Sequence, residues 1–295
     1  MNSIILKSRV LTITVLPQRG GKIASIRFLP RSFELLFQPP GSVYPNLTPG
    51  MPFHLGDASG FDDVFPSMGP ETADMQGAAL TIPDHGQLWT SPMTARLERE
   101  ALALRCELSG SGYTYEKRIY LEEGRMCYDV TICNLRPEPL PAVWVCHCLM
   151  RYEPGMTFFF PQDAHIARNL ISGSPLGKAG QLHVLGESDY DFAHPPKAHS
   201  AVKFYFQDTV SQGWCAADYP ASGVRATMRF DPATLPYLGF WMTTGAYRGD
   251  WNFAFEPATS FYDTVACAQK NYRLARILPG RDLRLHLSLE LTELN

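Results

Sequence analysis

Residues 283–292 read Leu-Arg-Leu-His-Leu-Ser-Leu-Glu-Leu-Thr, a strict alternation of leucine with a polar residue. Successive side chains of an extended chain point to opposite faces. Leu283, Leu285, Leu287, Leu289 and Leu291 therefore gather on one face, and Arg284, His286, Ser288, Glu290 and Thr292 on the other. This is the pattern of a half-buried β-strand. Upstream, residues 113–121 and 126–133 flank Glu122-Glu123-Gly124-Arg125, where Gly124 takes a positive φ at little cost, so the stretch predicts a hairpin. Further strands are predicted at 10–15, 22–28, 95–108, 142–150, 201–207, 213–217, 224–230, 237–243 and 251–256, and helical periodicity is scarce. Many antiparallel strands joined by turn-rich connections predict an all-β fold, a large antiparallel β-sandwich.

A chain of 295 residues is within reach of one large sandwich, and no charge run, Ser/Gly-rich linker or fixed-period repeat divides it, so one domain over 1–295 is expected. Two stretches rich in turn-forming residues interrupt the alternation. They are 38–92 and 153–200, the latter with Pro161, Pro175, Pro195 and Pro196, and long connections of this kind belong at the rim of a cleft. The net charge of -3, with no Lys/Arg block, disfavours nucleic acid as a partner. No uninterrupted apolar span is long enough to cross a bilayer, and the first residues carry no cleavage pattern, so a cytoplasmic protein without membrane attachment is the expectation. The seven cysteines fall mostly within apolar, strand-like runs and read as small hydrophobes rather than a disulfide framework. Gly-x-Ser-x-Gly, phosphate-loop and dinucleotide fingerprints are missing, which removes serine hydrolases, NTPases and dehydrogenases from consideration.

Three residues stand out chemically. His147 lies in Trp-Val-Cys-His-Cys; on a strand it shares a face with Val145 and Leu149, while Trp144, Cys146 and Cys148 point the other way. The two sulfurs thus oppose the imidazole, and no second Cys-x-x-Cys completes a tetrahedron, so no metal site is expected. From the strand alone, a hydrogen-bonded core histidine is the simpler reading of His147. His85, in Pro-Asp-His-Gly, is placed by turn geometry, and a turn-stabilising Asp84-His85 pair is as good a reading as a functional one. Glu256, in Trp-Asn-Phe-Ala-Phe-Glu-Pro, shares a strand face with Asn252 and Ala254, and Pro257 is expected to stop regular pairing and leave the acid at a strand end. Apolar surroundings would raise its pKa into the range of a general base; an exposed edge glutamate is the alternative. Trp89, Trp241 and Trp251 are candidate platforms for the apolar face of a sugar ring, and Asp62, Asp63, Arg248 and Asp250 are candidates for binding its hydroxyls, with core, turn or surface roles open for each. His54, His165, His183, His194, His199 and His286 have weaker contexts, and His286 falls on the polar face of its strand.

Gly20-Gly21-Lys22-Ile23-Ala24-Ser25-Ile26, Gly60-Phe61-Asp62-Asp63-Val64-Phe65-Pro66, Asp84-His85-Gly86, Trp144 to His147, and Leu238-Gly239-Phe240-Trp241 leading to Phe255-Glu256-Pro257 follow one another along nearly the whole chain. In order and spacing they resemble the aldose 1-epimerase (galactose mutarotase-like) family. The resemblance implies a large antiparallel supersandwich, no metal or organic cofactor, and a free sugar as the small-molecule partner of a monomer or homodimer. By the same resemblance His147 is the acid, Glu256 the base and His85 the second histidine near the ring oxygen, in an isomerase that opens and recloses the hemiacetal. The arginine that many sugar-binding members carry close to the first histidine has no counterpart here, since Gln87-Leu88-Trp89 follow Gly86. That absence argues against a sugar-phosphate epimerase, which needs cations for a dianion. Two other functions fit the same residues. One is a carbohydrate-binding protein without turnover; the other is a glycoside-processing enzyme in which Asp62 or Asp63 pairs with Glu256.

Overall fold

The computed structural model describes residues 2–39, 41, 43–74, 79–108, 110–185 and 198–294. His194, Pro195 and Pro196 lie outside them. The leucine repeat forms the strand Asp282–Glu293 at the centre of an eight-stranded sheet, between Arg125–Asn134 and Val224–Phe230. Leu285, Leu287 and Leu289 stand opposite Val130, Tyr128 and Met126 and are all buried, whereas Arg284 and His286 are exposed. Ser288 breaks the alternation by being buried among them. The hairpin closes where expected, with Glu122 opposite Arg125 and positive φ at Glu123 and Gly124.

A second, twelve-stranded sheet runs from Ile4–Lys7 through Lys22–Phe28, Phe61–Val64, Val145–Cys148, Trp251–Ala258, Tyr237–Thr244 and Ser200–Phe206 to Leu182–Val184. Together the sheets form the expected antiparallel sandwich. Their facing sides bury one continuous apolar core, with Phe61 stacked on Tyr128 at 5.2 Å and Phe33 edge-on to Tyr219 at 4.8 Å. A buried polar cluster crosses this interior. Lys117 Nζ, from the eight-stranded sheet, donates to Asp63 Oδ2 of the other sheet at 2.7 Å, and the Tyr128 hydroxyl also donates to Asp63. Two side chains that are each 1% exposed thus neutralise one another in the core.

Several predicted boundaries differ from those observed. Residues 95–108 form a hairpin of Thr94–Leu97 and Ala101–Leu108 rather than one strand, and 142–150 divides at Leu149 into Val145–Cys148 and Met150–Arg151. The turn-rich stretches contain Phe61–Val64, Glu71–Asp74 and Ala79–Ile82 in the first and Thr157–Phe159, Ile166–Asn169 and Leu182–Val184 in the second. Such short strands carry too few residues to show a period against the surrounding Pro and Gly. Pro257 does not end its strand. Trp251–Ala258 continues through it, with Leu238 opposite Pro257 and Tyr237 opposite Ala258, because a proline removes one ladder donor without preventing an extended backbone. The one α-helix among the described residues, Val265–Lys270, is capped by Thr264, whose Oγ1 accepts from Cys267 N at 3.0 Å. No helix there is long and apolar enough to cross a membrane.

Candidate active site

Three adjacent strands of the twelve-stranded sheet build the floor of a cavity by alternation. Lys203 stands opposite Trp241 and Trp241 opposite Ala254; one step along, Tyr205, Gly239 and Glu256 form the next row. Residues of these rows share one face. The intervening residues Phe204, Phe240 and Phe255 take the other, where Phe240 packs on Phe158 at 5.2 Å and Phe255 on Phe160 at 5.6 Å. The aromatic core therefore turns Glu256 outward into the cavity. Gly239 is required between Tyr205 and Glu256, since a Cβ there would sit 2.6 Å from the Tyr205 ring. The cavity has a volume of about 320 Å³, and Glu256, His147, His85, Lys203, Trp241 and Arg248 are among its walls.

Glu256 is 1% exposed, on an interior strand. Neither a strand end nor an exposed edge describes it. Burial raises its pKa to about 7, against the opposing pull of the Lys203 ammonium and with a further push from Asp263. Its Oε2 is buried and has no hydrogen-bond partner among the described residues. A buried carboxylate oxygen left in this way is costly unless a ligand satisfies it.

His147 projects from Val145–Cys148 on the same face as Leu149, and both line the cavity. His85 arrives from a loop tied to the sheet by the backbone: His85 N donates to Met68 O at 2.7 Å, and Gln87 N donates to Phe65 O at 2.9 Å. Gly86 makes this possible, with φ of 75° and so close an approach that a Cβ would meet Phe65 O at 2.1 Å. The two imidazole centres are 5.0 Å apart and nearly perpendicular. Phe53 holds both, stacked on His85 at 4.0 Å and edge-on to His147 at 5.1 Å. Asp84 Oδ1 lies 2.8 Å from His85 Nδ1, while its Oδ2 accepts from Phe53 N at 2.8 Å. The carboxylate makes Nδ1 the donor and leaves Nε2 as the other functional nitrogen.

Desolvation lowers the pKa of both histidines. For His147 it acts with the charges of His85, Lys203 and Lys22 and takes the group well below its ordinary value; for His85 the hydrogen bond and charge of Asp84 oppose it. Both rings are thus neutral for most of the time near pH 7, with His85 supported by an anion and His147 not. His147 Nδ1 has no hydrogen-bond partner among the described residues.

Three solved structures share this arrangement of strands over nearly their whole length. The Slr1438 protein of Synechocystis sp. PCC 6803 superposes with a TM-score of 0.79 at 15% identity, over 99% of this chain and 96% of its own. A galactose mutarotase-like protein from Lactobacillus casei ATCC 334 gives 0.74 at 14% identity, over 99% and 100%. A galactose mutarotase related enzyme from Lactobacillus acidophilus gives 0.70 at 12% identity, with both chains covered to 100%. The chain has the galactose mutarotase-like fold. No protein-family model matches its sequence, and neither does any curated protein.

Within the mutarotase-like sandwich, the two histidines and the glutamate anticipated from the sequence converge on one cavity, and Trp241 and Arg248 join them. Trp241 Nε1 donates to Asn252 Oδ1 at 3.1 Å, which sets its ring beside the floor. Arg248 is largely committed to the protein: it donates to the carbonyls of His54, Gly56 and Asp57 and lies 3.3 Å from Asp250. Asp250 also lines the cavity, whereas Asp62, Asp63, Trp89 and Trp251 are not among its walls. Asp62 is directly opposite His147 in register, yet it is bound to the buried Lys22, which also meets Asp57 at 3.1 Å. Asp63 is the core partner of Lys117. Trp89 is buried and donates from Nε1 to Asp84 O at 3.0 Å, so it props the His85 loop from behind. Trp251 is exposed and lies 5.8 Å from Tyr152. Asp62 and Asp63 are thus structural carboxylates here, and Glu256 does not face either of them across the cavity; the glycoside-processing arrangement built on such a pair is not present.

Lys203 and Asp263 are the main site residues that the sequence reading passed over. They pair at 2.9 Å in the cavity wall. Lys203 carried a signal, as the one charged residue in the run Ser-Ala-Val-Lys-Phe-Tyr-Phe at 200–206. Asp263, in a turn with φ of 55°, carried none. His54, given little weight by its sequence context, lies on the rim.

Proposed function

We propose that this protein interconverts the α and β anomers of a free aldose. The observation that carries the proposal is the meeting of a buried carboxylate, poised near neutrality and with an unsatisfied oxygen, with two imidazoles in one monosaccharide-sized cavity. In the proposed reaction Glu256 accepts the proton of the anomeric hydroxyl while His147 donates one to the ring oxygen. The C1–O5 bond breaks as the C1–O1 bond becomes a carbonyl. Rotation about C1–C2 presents the other carbonyl face; reclosure returns both protons and gives the other anomer. His85, fixed by Asp84, hydrogen-bonds the sugar beside His147 through Nε2. Trp241 and Phe53 supply apolar surface for the ring. No covalent intermediate is needed.

Charge pairing in the cavity favours an uncharged sugar. Lys203 is matched by Asp263 and Arg248 by Asp250, and Glu256 and Asp84 add negative charge, so no free cation among the lining residues is available for a phosphate. The experiment is polarimetry on freshly dissolved α-glucose and α-galactose, with wild-type and Glu256→Gln proteins. Acceleration by the wild type alone supports the reading. A carbohydrate-binding protein without turnover would instead show ligand-induced thermal stabilisation and no acceleration.

A further inference from the structure

We propose that Arg248 is a positioning residue: by bridging two walls of the cavity it fixes the turn that carries Phe53, and through Phe53 the disposition of the two imidazoles. The role rests on the anomer-exchange reading where it concerns rate, and on geometry alone where it concerns the rings. One wall is the tip of the hairpin between Tyr237–Thr244 and Trp251–Ala258, which contributes Tyr247, Arg248 and Asp250; another is the segment 53–58, which contributes Phe53, His54 and Ala58. The carbonyls at the end of a helical turn have no partner inside it. At the end of Phe53–Leu55 they meet the guanidinium: Arg248 Nη1 donates to His54 O at 3.2 Å and to Gly56 O at 3.0 Å, and Nη2 donates to Asp57 O at 3.3 Å. Arg248 Nε lies 3.3 Å from Asp250 Oδ2. Three of the five N–H groups of this planar fork are thus taken by one wall, and a fourth is held by the hairpin itself.

The turn so held sets the histidines. Phe53 is stacked on His85 with an interplanar angle of 14° and stands edge-on to His147 at 88°, so a tilt of its ring disturbs both. Asp84 and Trp89 secure the start of the turn, the first by accepting from Phe53 N at 2.8 Å and the second by packing edge-on against the Phe53 ring at 5.1 Å; Arg248 secures its end. The backbone of Arg248 points to its side chain as the reason for its place. Its φ is 56°, between Gly245 at 95° and Gly249 at 80°. Glycine adopts this region freely, whereas a residue with a Cβ is strained there. An arginine in that conformation is sustained by what its side chain holds.

The test uses Arg248→Gly, which removes the fork while relieving the backbone, and Arg248→Lys, which keeps the charge but cannot span three carbonyls. Thermal melts set a temperature at which each variant is folded, and there two quantities are read. The first is the NMR shift of the His85 ring protons in histidine-labelled protein, assigned with His85→Gln; they lie over the face of Phe53 and are shielded by it, and Phe53→Leu gives their position without that shielding. The second is kcat and KM for anomer exchange. In Arg248→Gly the His85 resonances should move towards their position in Phe53→Leu, and kcat should fall by about tenfold to a hundredfold, as misplacing a reacting group costs, with KM little changed. Arg248→Lys should fall between the two proteins in both readouts. His85 resonances unmoved in the folded variants would overturn the proposal and leave Arg248 a structural latch, even with a lowered melting temperature. A raised KM with unchanged kcat would overturn it in favour of a sugar ligand, and moved resonances with unchanged kcat and KM would overturn it as a contribution to rate. If the wild type turns over no aldose, the anomer-exchange reading fails by itself, and the resonances alone decide whether Arg248 sets the rings.

Discussion

Replacing Asp63 with asparagine separates a structural carboxylate from a substrate ligand. Lys117 and Asp63 are each 1% exposed, 2.7 Å apart, and join the two sheets through the middle of the core. The asparagine keeps the volume and can still accept a hydrogen bond, but the Lys117 ammonium is left without its counter-charge. Breaking one side of a buried pair costs about 3–5 kcal/mol. With an unfolding entropy of roughly 2 cal/mol/K per residue, a chain of this length loses about 5–8 °C of melting temperature for that cost. Calorimetric melts of wild type, Asp63→Asn, Lys117→Met and the double variant would measure it. The double variant should regain most of the loss, because no isolated charge remains. Below the melting transition, Asp63→Asn should retain the wild-type kcat/KM on a turned-over aldose. A fully stable Asp63→Asn protein with a strongly raised KM would refute the reasoning and return Asp63 to the sugar site.

Three other outcomes follow from the site. The productive state of the proposed reaction is a carboxylate with an imidazolium, one proton shared by Glu256 and His147; with Glu256 near 7 and His147 well below its usual range, that proton count holds between the two values. The rate should accordingly fall about tenfold per pH unit above a pH near 7, and a rate that rises through pH 7 and stays level to pH 9 would show that neutral imidazole suffices. Lys203→Met removes the cation that opposes the upward shift of Glu256, so the falling limb should move to higher pH; an unmoved limb would mean that Lys203 does not act on Glu256. Asp84→Asn loses the anion beside His85 and should lower kcat by about tenfold to a hundredfold, the usual cost of losing such an orienting partner; unchanged kcat in Asp84→Asn alongside a large loss in His85→Gln would show that Phe53 stacking alone orients the ring.

The fold was legible wherever strands were long enough to show a period of two. The leucine strand, the Glu123-Gly124 hairpin and the Trp251 strand each have one apolar face, and each lies where its alternation places it. Strands of three or four residues within 38–92 and 153–200 were not legible, because their pairing is decided by distant partners rather than by local sequence. The site divides along a similar line. The faces that His147 and Glu256 take were readable because alternation fixes which way a strand residue points. Asp62 and Asp63 lie on the strand beside His147 yet do not line the cavity, and each has its charge matched by a lysine from elsewhere, Lys22 from another strand of the same sheet and Lys117 from the opposite sheet. Pairings of this kind leave no mark in the sequence around either partner. Asp263 was invisible for a related reason, since its only distinction is to meet Lys203 across the fold.

The most direct measurement is the rate of approach to anomeric equilibrium for a panel of aldoses, read by polarimetry with wild-type, Glu256→Gln and His147→Gln proteins at equal concentration. The account predicts that the wild type accelerates at least one sugar and that each substitution removes about a hundredfold or more of that acceleration, as loss of a general acid or base does. Acceleration that survives both substitutions would contradict it.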